Sequence, residues 1–496
     1  MKVLLLNMPI QFNSWQNLEM PLGIAYIASE LEKHGHRVSI RDYEVESFES
    51  GQFQNELNTL KPDVVGVSFR SSSYASAKTA CSIVKETTRS IKVVLGGHHA
   101  TAFPEDTLMD IPADFVVRGE GEYVMAGLLD AISSDAKLAD VPNITYRYDG
   151  EIVENVLKDT VTDLDRLSFP AWHLLPIDKY VTGSIITSRG CPFSCIYCDK
   201  GVSTRKVRFR SPENIYREIM AFEERYKKGR VYFVDDYFFL NKKRLSELLD
   251  LIINGEHLRF RWYCQARVDG IDSEILERAK KSGCDMIIYG VETGDQEELE
   301  YINKKATLEE AEQAVKLSKR EGIKTRANFM IGFPISTHES ISNSIRFAKR
   351  IDADLYRFFI VSPLPNTVLW ERAVKLHPEL VDIGWDKFDF YNPSFDTAEV
   401  KKEDMVKYVM AAYLYVLKNK VIKELTIEFI PRLAKLVYLV FKNRRLRGNL
   451  SVTFPACVNF FLEEWFLLRR ISTRERLNYI KDIFTLIRKI KSDKRS

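Results

Sequence analysis

The sequence predicts an α/β protein, because short apolar runs alternate with amphipathic stretches over most of its 496 residues. Two alternating regions, residues 1–135 and 181–400, are separated by residues 136–180, which we predict to be a linker with a small hairpin. Residues 401–496 instead place apolar residues at spacings of three and four, which is typical of helices. A chain of this length is too long for one ordinary core, so more than one domain is expected.

Residues 1–135 are predicted to form a parallel sheet that helices cover on both faces. Five strands in such a sheet favour a flavodoxin-like order, with ligands bound at the carboxyl ends of the strands. The predicted strands are Val3–Asn7, Arg37–Arg41, Val64–Val67, Lys92–Leu95 and Phe115–Val117. The predicted helices lie near Leu22–His34, Ser71–Lys85, Pro104–Met109 and Glu120–Ile132.

Residues 181–400 contain six further β/α units, which predict a partial (β/α)6 barrel that is open on one side. The loops that follow its strands are expected to carry the chemistry. The predicted strands are Ile185–Ser188, Arg230–Val234, Trp262–Arg267, Met286–Tyr289, Lys324–Ile331 and Tyr356–Val361. Helical stretches include Pro212–Tyr226, Asn241–Ile253 and Leu308–Arg320.

Residues 401–496 are basic as well as helical, with 22 Lys and Arg against 9 Asp and Glu. Residues 1–400 contain 50 Lys and Arg and 60 Asp and Glu, so their net charge is −10, whereas that of residues 401–496 is +13. The predicted tail helices are Met405–Lys418, Leu433–Phe441 and Arg474–Ile490, and the basic amphipathic stretch Pro431–Arg447 suits a membrane surface. A solvated helical face explains the charge equally well. Neither a signal peptide nor an apolar run of about 20 residues is present, which predicts a cytoplasmic protein, with peripheral membrane contact through the tail.

Three of the seven cysteines crowd into one loop after the first predicted barrel strand. That loop reads Ser188-Arg-Gly-Cys191-Pro-Phe-Ser-Cys195-Ile-Tyr-Cys198. Three thiolates at this spacing can hold a cubane iron–sulfur cluster and leave one of its four irons open to a ligand. A structural zinc site is the alternative, but it needs a fourth ligand, and the remaining cysteines stand alone.

This cysteine spacing, with Tyr197 before the third cysteine, resembles the radical S-adenosylmethionine (SAM) superfamily over roughly residues 182–370. The resemblance implies a [4Fe–4S] cluster on Cys191, Cys195 and Cys198 whose open iron chelates SAM. One electron then cleaves SAM to methionine and a 5′-deoxyadenosyl radical.

Residues at successive strand ends match the family's SAM-binding segments in order. The resemblance implies that Tyr197 lies against adenine and that Asp235 or Asp236 accepts from the SAM amino group, although the family has Gly-Gly-Glu there. It also implies that Glu292 accepts from the ribose hydroxyls and that Gly332 and Pro334 form a turn against adenine. Arg267 at the barrel mouth is expected to pair with the SAM carboxylate, since Arg forks match carboxylates.

A dinucleotide site in residues 1–135 is disfavoured, because the loop after the first strand contains no glycine. Three other strand-end loops and the opening of the first helix resemble the cobalamin-binding domains that are fused to radical SAM barrels. Small residues there suit a long ligand tail that lies against the backbone. The implied contacts are Leu22, Gly23, Ser68, Arg70, Ser72, Gly96, Gly97, His98, Gly119, Glu120 and Gly121. The cobalt-coordinating Asp-x-His-x-x-Gly string is absent, so His98 and His99 are interpreted as tail or structural contacts.

Within this family, the resemblance favours cobalamin-dependent methylation of an unactivated carbon, with SAM used both as radical source and as methyl donor. The alternatives are an oxidative cyclase or oxygenase of the anaerobic magnesium-protoporphyrin ester cyclase type, a rearranging radical enzyme, and a non-enzymatic cobalamin or redox sensor. We expect a small-molecule substrate of hydrophobic or lipid-like character and an electron donor such as flavodoxin or ferredoxin. A nucleic-acid partner is not expected, because no recognised binding module accompanies the basic charge.

Overall fold

The computed structural model describes residues 1–9, 19–134, 137–159, 161–199, 206–255, 260–416, 482–483 and 485–490. The chain divides into two compact units. The first consists of residues 1–266, 273–285 and 363–389, and the second of residues 267–272, 286–362 and those from 390 onward. Each unit is described by itself.

The first unit opens with a seven-stranded sheet in the order β2-β1-β3-β4-β5-β6-β7. The first five strands pair in parallel, which confirms the predicted flavodoxin-like arrangement. The last two strands are antiparallel. The strands are β1 (Lys2–Asn7), β2 (Arg37–Asp42), β3 (Val64–Ser68), β4 (Lys92–Gly96), β5 (Phe115–Val117), β6 (Ile144–Tyr148) and β7 (Glu151–Glu154).

Helices cover both faces of this sheet, as its buried strands require. Val3 and Leu5 of β1 pack into one apolar cluster and Leu4 and Leu6 into the other, because successive side chains of a strand point to opposite faces. The helices are α1 (Leu22–Lys33), α2 (Ser50–Leu60), α3 (Tyr74–Thr87), α4 (His98–Ala102), α5 (Pro104–Asp110) and α6 (Glu122–Ser134).

The hairpin predicted within the linker is in fact the edge of this sheet, since β6 pairs with β5. Asp149 and Gly150 connect β6 to β7, and both have positive φ, at 48° and 85°. Two such residues form the turn that matches the twist of an antiparallel hairpin. The linker prediction therefore identified the hairpin but not its place in the sheet.

The rest of the first unit begins the barrel-like region. Strands β8, β11 and β12 pair in parallel, and β9 and β10 form a separate antiparallel pair. The predicted strand Ile185–Ser188 is therefore wrong in its bounds, because residues 186–187 separate β8 from β9. The elements are β8 (Gly183–Ile185), β9 (Ser188–Arg189), β10 (Arg208–Phe209), α7 (Pro212–Tyr226), β11 (Arg230–Phe233), α8 (Lys242–Asn254), β12 (Arg261–Arg267) and α9 (Ser273–Lys281).

The second unit continues the alternation with three more strands, and β14 pairs in parallel with both β13 and β15. Six β/α repeats thus follow one another along the chain, as predicted. The elements are β13 (Cys284–Glu292), α10 (Gln296–Tyr301), α11 (Leu308–Arg320), β14 (Lys324–Ile331), α12 (His338–Ile351) and β15 (Leu355–Ile360). Helix α13 (Val368–Leu376) belongs to the first unit and α14 (Lys402–Val416) to the second.

The C-terminal region is described only in part. Helix α14 begins at Lys402, three residues before the predicted helix Met405–Lys418, and confirms that helix as far as Val416, where this stretch of described residues ends. The predicted stretches Leu433–Phe441 and Pro431–Arg447 lie outside the described residues, and of Arg474–Ile490 only the helical residues 482–483 and 485–490 are described. No helix among the residues described is long and apolar enough to cross a membrane.

Candidate active site

The three cysteines lie on an irregular loop that follows β9. Cys191 and Cys195 are half-buried and Cys198 is exposed. The backbone N–H of Cys198 donates to the Cys195 carbonyl over 3.3 Å, and the Ile196 carbonyl accepts from Leu369 of α13 over 3.0 Å. These bonds fix the backbone while the thiols stay accessible. Three thiolates on one loop fit a cubane cluster, which binds each of them through a different iron.

A buried carboxylate holds the start of this loop. Asp235, directly after β11, accepts from the Thr187 backbone N–H over 2.6 Å and from the Ser188 hydroxyl over 2.7 Å. The Thr187 hydroxyl donates to the same carboxylate. Burial raises the pKa of Asp235, and its hydrogen bonds to Thr187 oppose that shift. Its oxygens are therefore used within the protein, which gives no support to its predicted contact with SAM.

Asp236 differs from its neighbour, since it is exposed and lines a cavity of about 580 Å³ in the first unit. Gly190, next to Cys191, lines the same cavity. The predicted cobalamin loops form most of its remaining wall, because the carboxyl ends of parallel strands meet at one edge of the sheet. The cavity thus brings the loop of the cysteines, a predicted SAM contact and the predicted cobalamin contacts together.

Nine of the eleven predicted cobalamin contacts line this cavity. They are Leu22, Gly23, Ser68, Arg70, Gly97, His98, Gly119, Glu120 and Gly121. Ser72 and Gly96 are not part of the wall, because Ser72 is buried in a short turn of 3₁₀-helix and Gly96 is the last residue of β4. Apolar side chains outside the predicted set also line the cavity, among them Met8, Met20 and Tyr26.

Glu120, a predicted cobalamin contact, lines the cavity, and two arginines bind its carboxylate. Oε1 accepts from Arg189 over 3.2 Å and from Arg208 over 2.7 Å, and Oε2 accepts from Arg208 over 2.7 Å. Arg189 also donates to Glu122 over 2.6 Å. Burial alone lowers the pKa of Arg189, but Glu122 and then Glu120 outweigh burial and raise its pKa overall. Glu120 is thus part of a buried ion network at the cavity wall.

The two histidines after β4 have different surroundings. Nδ1 of His98 lies 3.1 Å from Oδ2 of Asp199, and the His98 side chain remains 44% exposed. His99 is buried, with Nδ1 2.9 Å from the Ser71 hydroxyl, and burial lowers its pKa to about 4. The structural interpretation of His99 is therefore confirmed.

In the second unit, Glu292 ends β13 with a φ of +71°, next to an irregularity in the pairing with β14. Its Oε1 accepts from the Lys304 ammonium over 2.7 Å.

Arg267 donates to Asp269 over 2.7 Å and to the Lys304 carbonyl, so its predicted pairing with the SAM carboxylate has no support in this geometry. Gly332 has a positive φ of 94°, and the carbonyl of Pro334 accepts from the Ala398 backbone N–H over 2.9 Å.

A second cavity in the first unit, of about 900 Å³, also reaches the cysteine loop. Cys195 and Cys198 line it together with Arg118, Glu154 and Asn366. Nothing in the sequence indicates this cavity, since its lining residues come from seven separate segments of the chain.

A cysteine loop of this spacing beside a strand-end cavity of this kind defines a class of enzyme that combines an iron–sulfur cluster with a cobalamin domain. The profile of the radical SAM superfamily matches residues 185–348, and that of the B12 binding domain matches residues 12–129. The chain belongs to the family of B12-binding radical SAM enzymes that includes methyltransferases and anaerobic magnesium-protoporphyrin cyclases. The cofactors are a [4Fe–4S] cluster, SAM and cobalamin.

Three relatives illustrate the range of the family. An uncharacterized methyltransferase of Pyrococcus horikoshii is 32% identical over 88% of this chain and 94% of its own. The anaerobic magnesium-protoporphyrin IX monomethyl ester cyclase of Rubrivivax gelatinosus is 28% identical over 81% and 74%. The hopanoid C-3 methylase of Methylococcus capsulatus is 28% identical over 71% and 68%.

A solved structure shares the fold. The cobalamin-dependent SAM radical enzyme OxsB, with aqua-cobalamin and SAM bound, superposes with a TM-score of 0.69 at 18% identity. The match covers 99% of this chain and 80% of that one. Together with the parallel sheet and the six β/α repeats, this confirms the predicted fold class.

Proposed function

We propose that this cobalamin-dependent radical SAM enzyme methylates an unactivated carbon of a small molecule. The observation that carries the proposal is the 580 Å³ cavity, whose wall contains nine predicted cobalamin contacts and also Gly190 and Asp236. A methyl carrier and a radical source must reach the same substrate carbon, so their sites have to be close together. In this proposal residues 1–135 form the cobalamin domain, whose sheet is extended by the hairpin within the linker 136–180, residues 181–400 form the radical SAM domain and residues 401–496 form the helical tail.

Cys191, Cys195 and Cys198 are the cluster ligands in this proposal, and Tyr197 lies against the adenine of SAM. When bound, the cluster supplies the electron that cleaves SAM, and cobalamin supplies the methyl group. Asp236 accepts from the SAM ammonium, because it is the carboxylate of the pair that faces the cavity. Glu292, held by Lys304, accepts from the ribose, and Gly332 and Pro334 bound the adenine.

The cobalamin site is formed mainly by small residues at the cavity wall. Gly119 leaves space for a ligand close to the backbone, because a Cβ there would meet no atom within 4 Å, and its φ is positive. Gly97 and Gly121 line the same wall. Ser68 and Arg70 offer a hydroxyl and a guanidinium to amide and phosphate oxygens of a nucleotide tail. Leu22, Met8 and Met20 add apolar surface and exclude water.

The substrate in this proposal is hydrophobic or lipid-like. A relative that is named for its action on hopanoids supports that class. The electron donor is a flavodoxin or ferredoxin, and the basic residues 401–496 contact a membrane surface. The 900 Å³ cavity beside Cys195 and Cys198 gives a small molecule a second approach to the cysteine loop.

Oxidative cyclisation is the second candidate, because the relative from Rubrivivax gelatinosus is named as a cyclase and matches 81% of this chain. The two reactions differ in how they consume SAM. Methylation uses a second molecule of SAM as the methyl source and leaves S-adenosylhomocysteine, whereas cyclisation yields 5′-deoxyadenosine alone.

The test uses anaerobically reconstituted full-length protein, reductant, hydroxocobalamin, SAM with a deuterated methyl group, and a lipid extract of producing cells as substrate source. Methylation predicts S-adenosylhomocysteine together with 5′-deoxyadenosine, and a deuterated methyl group in one extract component. Omission of hydroxocobalamin is the control and should abolish both the label and the S-adenosylhomocysteine. Sustained 5′-deoxyadenosine formation with no S-adenosylhomocysteine and no label would contradict methylation and favour cyclisation.

A further inference from the structure

Two arginines flank the cysteine loop and meet at one glutamate on the cavity wall. Arg189 lies two residues before Cys191, and Arg208 lies in β10, at the far end of the same segment. Both donate to Glu120, which follows β5 of the cobalamin-type sheet. Because β9 and β10 pair through Arg189 and Arg208, the base of the cysteine loop and the glutamate form one connected unit.

The network is buried and extends beyond these three residues. Side-chain exposure is 10% for Arg189, Arg208 and Glu120 and 4% for Glu122, so solvent screens these charges weakly. The Arg208 guanidinium bonds both oxygens of Glu120, a forked geometry that fixes orientation as well as distance. The Arg189 guanidinium lies 5.3 Å from the ring centroid of Tyr26, and that ring also lines the cavity.

A second, independent contact joins the other end of the cysteine loop to the same sheet. Asp199 directly follows Cys198, and its carboxylate lies 3.1 Å from Nδ1 of His98, which follows β4 and lines the cavity. The loop is therefore held at both of its ends by residues of the cavity wall.

We propose that Arg189 and Arg208, acting through Glu120 and Glu122, are positioning residues that couple occupancy of the cobalamin cavity to the cluster loop. The coupling rests on the proposed cofactor assignment of the two sites. When cobalamin orders the loop that contains Glu120, that loop orders Arg189 and Arg208. The two arginines in turn order the cysteine loop, which receives the cluster. Linkage then requires that each ligand strengthens binding of the other by the same factor.

The test compares the Kd of hydroxocobalamin for the full chain with and without a reconstituted [4Fe–4S] cluster, anaerobically and without SAM. Coupling predicts that the cluster tightens hydroxocobalamin binding by about fivefold or more. In Arg208→Lys, which keeps the charge but loses the fork, and in Glu120→Gln, the ratio of the two Kd values should fall towards one. The matched control is Lys78→Met, which removes an exposed ion pair to Asp110 in the same sheet domain and should keep the wild-type ratio.

A wild-type ratio of one, or variants that fold and keep the wild-type ratio, would overturn the coupling while leaving the proposed function intact. A wild-type protein that binds hydroxocobalamin in neither form would instead contradict the proposed function. Circular dichroism shows whether each variant is folded. Arg208→Lys changes the cationic partner of the network and Glu120→Gln the anionic partner, so one folded variant is enough to test the coupling.

Discussion

Nδ1 of His98 lies 3.1 Å from Oδ2 of Asp199, so a residue after β4 contacts the residue that follows the third cysteine of the loop. The two residues are 101 positions apart in the chain. The side chain of His98 is partly exposed at the cavity, which leaves it accessible to a ligand as well as to Asp199. The cobalamin-type sheet and the cysteine loop are therefore in direct contact within the first unit.

Asp235 and Asp236 are adjacent, yet the structure predicts that substitution of Asp235 destabilises the protein and that substitution of Asp236 does not. Asp235→Asn places an amide donor against the Thr187 N–H and the Ser188 hydroxyl and should cost about 1–3 kcal/mol of unfolding free energy. Asp236→Asn, on an exposed side chain, should change stability by less than about 0.5 kcal/mol. Urea denaturation of both variants measures the difference.

The same pair of variants also separates structure from binding. If Asp236 contacts SAM as proposed, Asp236→Asn should weaken SAM binding by roughly tenfold at unchanged stability, as expected for loss of a charge-assisted hydrogen bond. Equal unfolding free energies for the two variants would show that the Asp235 contacts contribute nothing measurable.

Gly97 and Gly23 line the same cavity but tolerate alanine differently. Gly97 has a φ of +94°, and a Cβ there would lie 2.5 Å from the Phe69 carbonyl oxygen, so Gly97→Ala should destabilise the protein by about 1–3 kcal/mol. Gly23 lies in α1, and a Cβ there would meet no atom within 4 Å, so Gly23→Ala should leave stability unchanged or raise it by up to about 1 kcal/mol.

Thermal unfolding of these two glycine variants tests the local geometry, and titration with hydroxocobalamin tests the cavity. Gly23→Ala should weaken hydroxocobalamin binding without loss of stability, because the added methyl occupies space at the cavity wall. A Gly97→Ala variant as stable as wild type would contradict the close approach of the loop after β4 to Phe69.

His99 predicts a pH dependence of stability. Burial lowers its pKa to about 4, and Asp199 opposes that shift only in part. In the unfolded chain His99 binds a proton near pH 6.5, whereas in the folded state it stays neutral down to about pH 4. The stabilising contribution is therefore fully present above pH 6.5 and is lost as pH falls through about 4, by up to about 3 kcal/mol.

Urea denaturation between pH 4 and pH 7 measures this slope. His99→Gln should flatten it, because the glutamine carries no charge in either state. His173→Gln, at an exposed histidine that bonds Glu32, is the control and should keep the wild-type slope. If His99→Gln and His173→Gln show the same dependence of unfolding free energy on pH, the assignment of this dependence to His99 is wrong.

Glu292 and Lys304 form an ion pair whose side chains are only 11% and 5% exposed. Lys304→Met leaves the carboxylate buried without its ammonium and should cost about 3–5 kcal/mol. The double variant Glu292→Gln/Lys304→Met should be less destabilised than the sum of the single variants, with a coupling of about 0.5–3 kcal/mol. Additive single and double effects would show that the pair is not coupled.

Local signals in the sequence predicted much of this structure. Helix α11 matches its predicted bounds, since Thr307 and Glu310 form a capping box at its start. Helix α7 does so too, with Ser211 as its cap and proline at the next position. Asn366 adopts a φ of +59°, a region that asparagine tolerates better than most residues.

Features that depend on distant partners could not be predicted in this way. Helix α2 was missed because it buries only Phe53 and Leu57, too weak a pattern to mark a helix. The protein partners of Asp235 and Glu120 could not be predicted, because an acidic residue at a strand end gives no indication of which donors the fold brings to it. Those donors, Thr187 and Arg208, are fixed only by tertiary packing.

The central claim is that Cys191, Cys195 and Cys198 hold the cluster that cleaves SAM, and one anaerobic measurement tests it directly. Wild type and the Cys191→Ala, Cys195→Ala and Cys198→Ala variants are treated with iron and sulfide, reduced and given SAM, and 5′-deoxyadenosine is quantified. We predict 5′-deoxyadenosine from wild type and none from any variant, while the variants bind hydroxocobalamin with the affinity of cluster-free wild type. Intact SAM with fully reconstituted wild type, or 5′-deoxyadenosine from the variants, would contradict it.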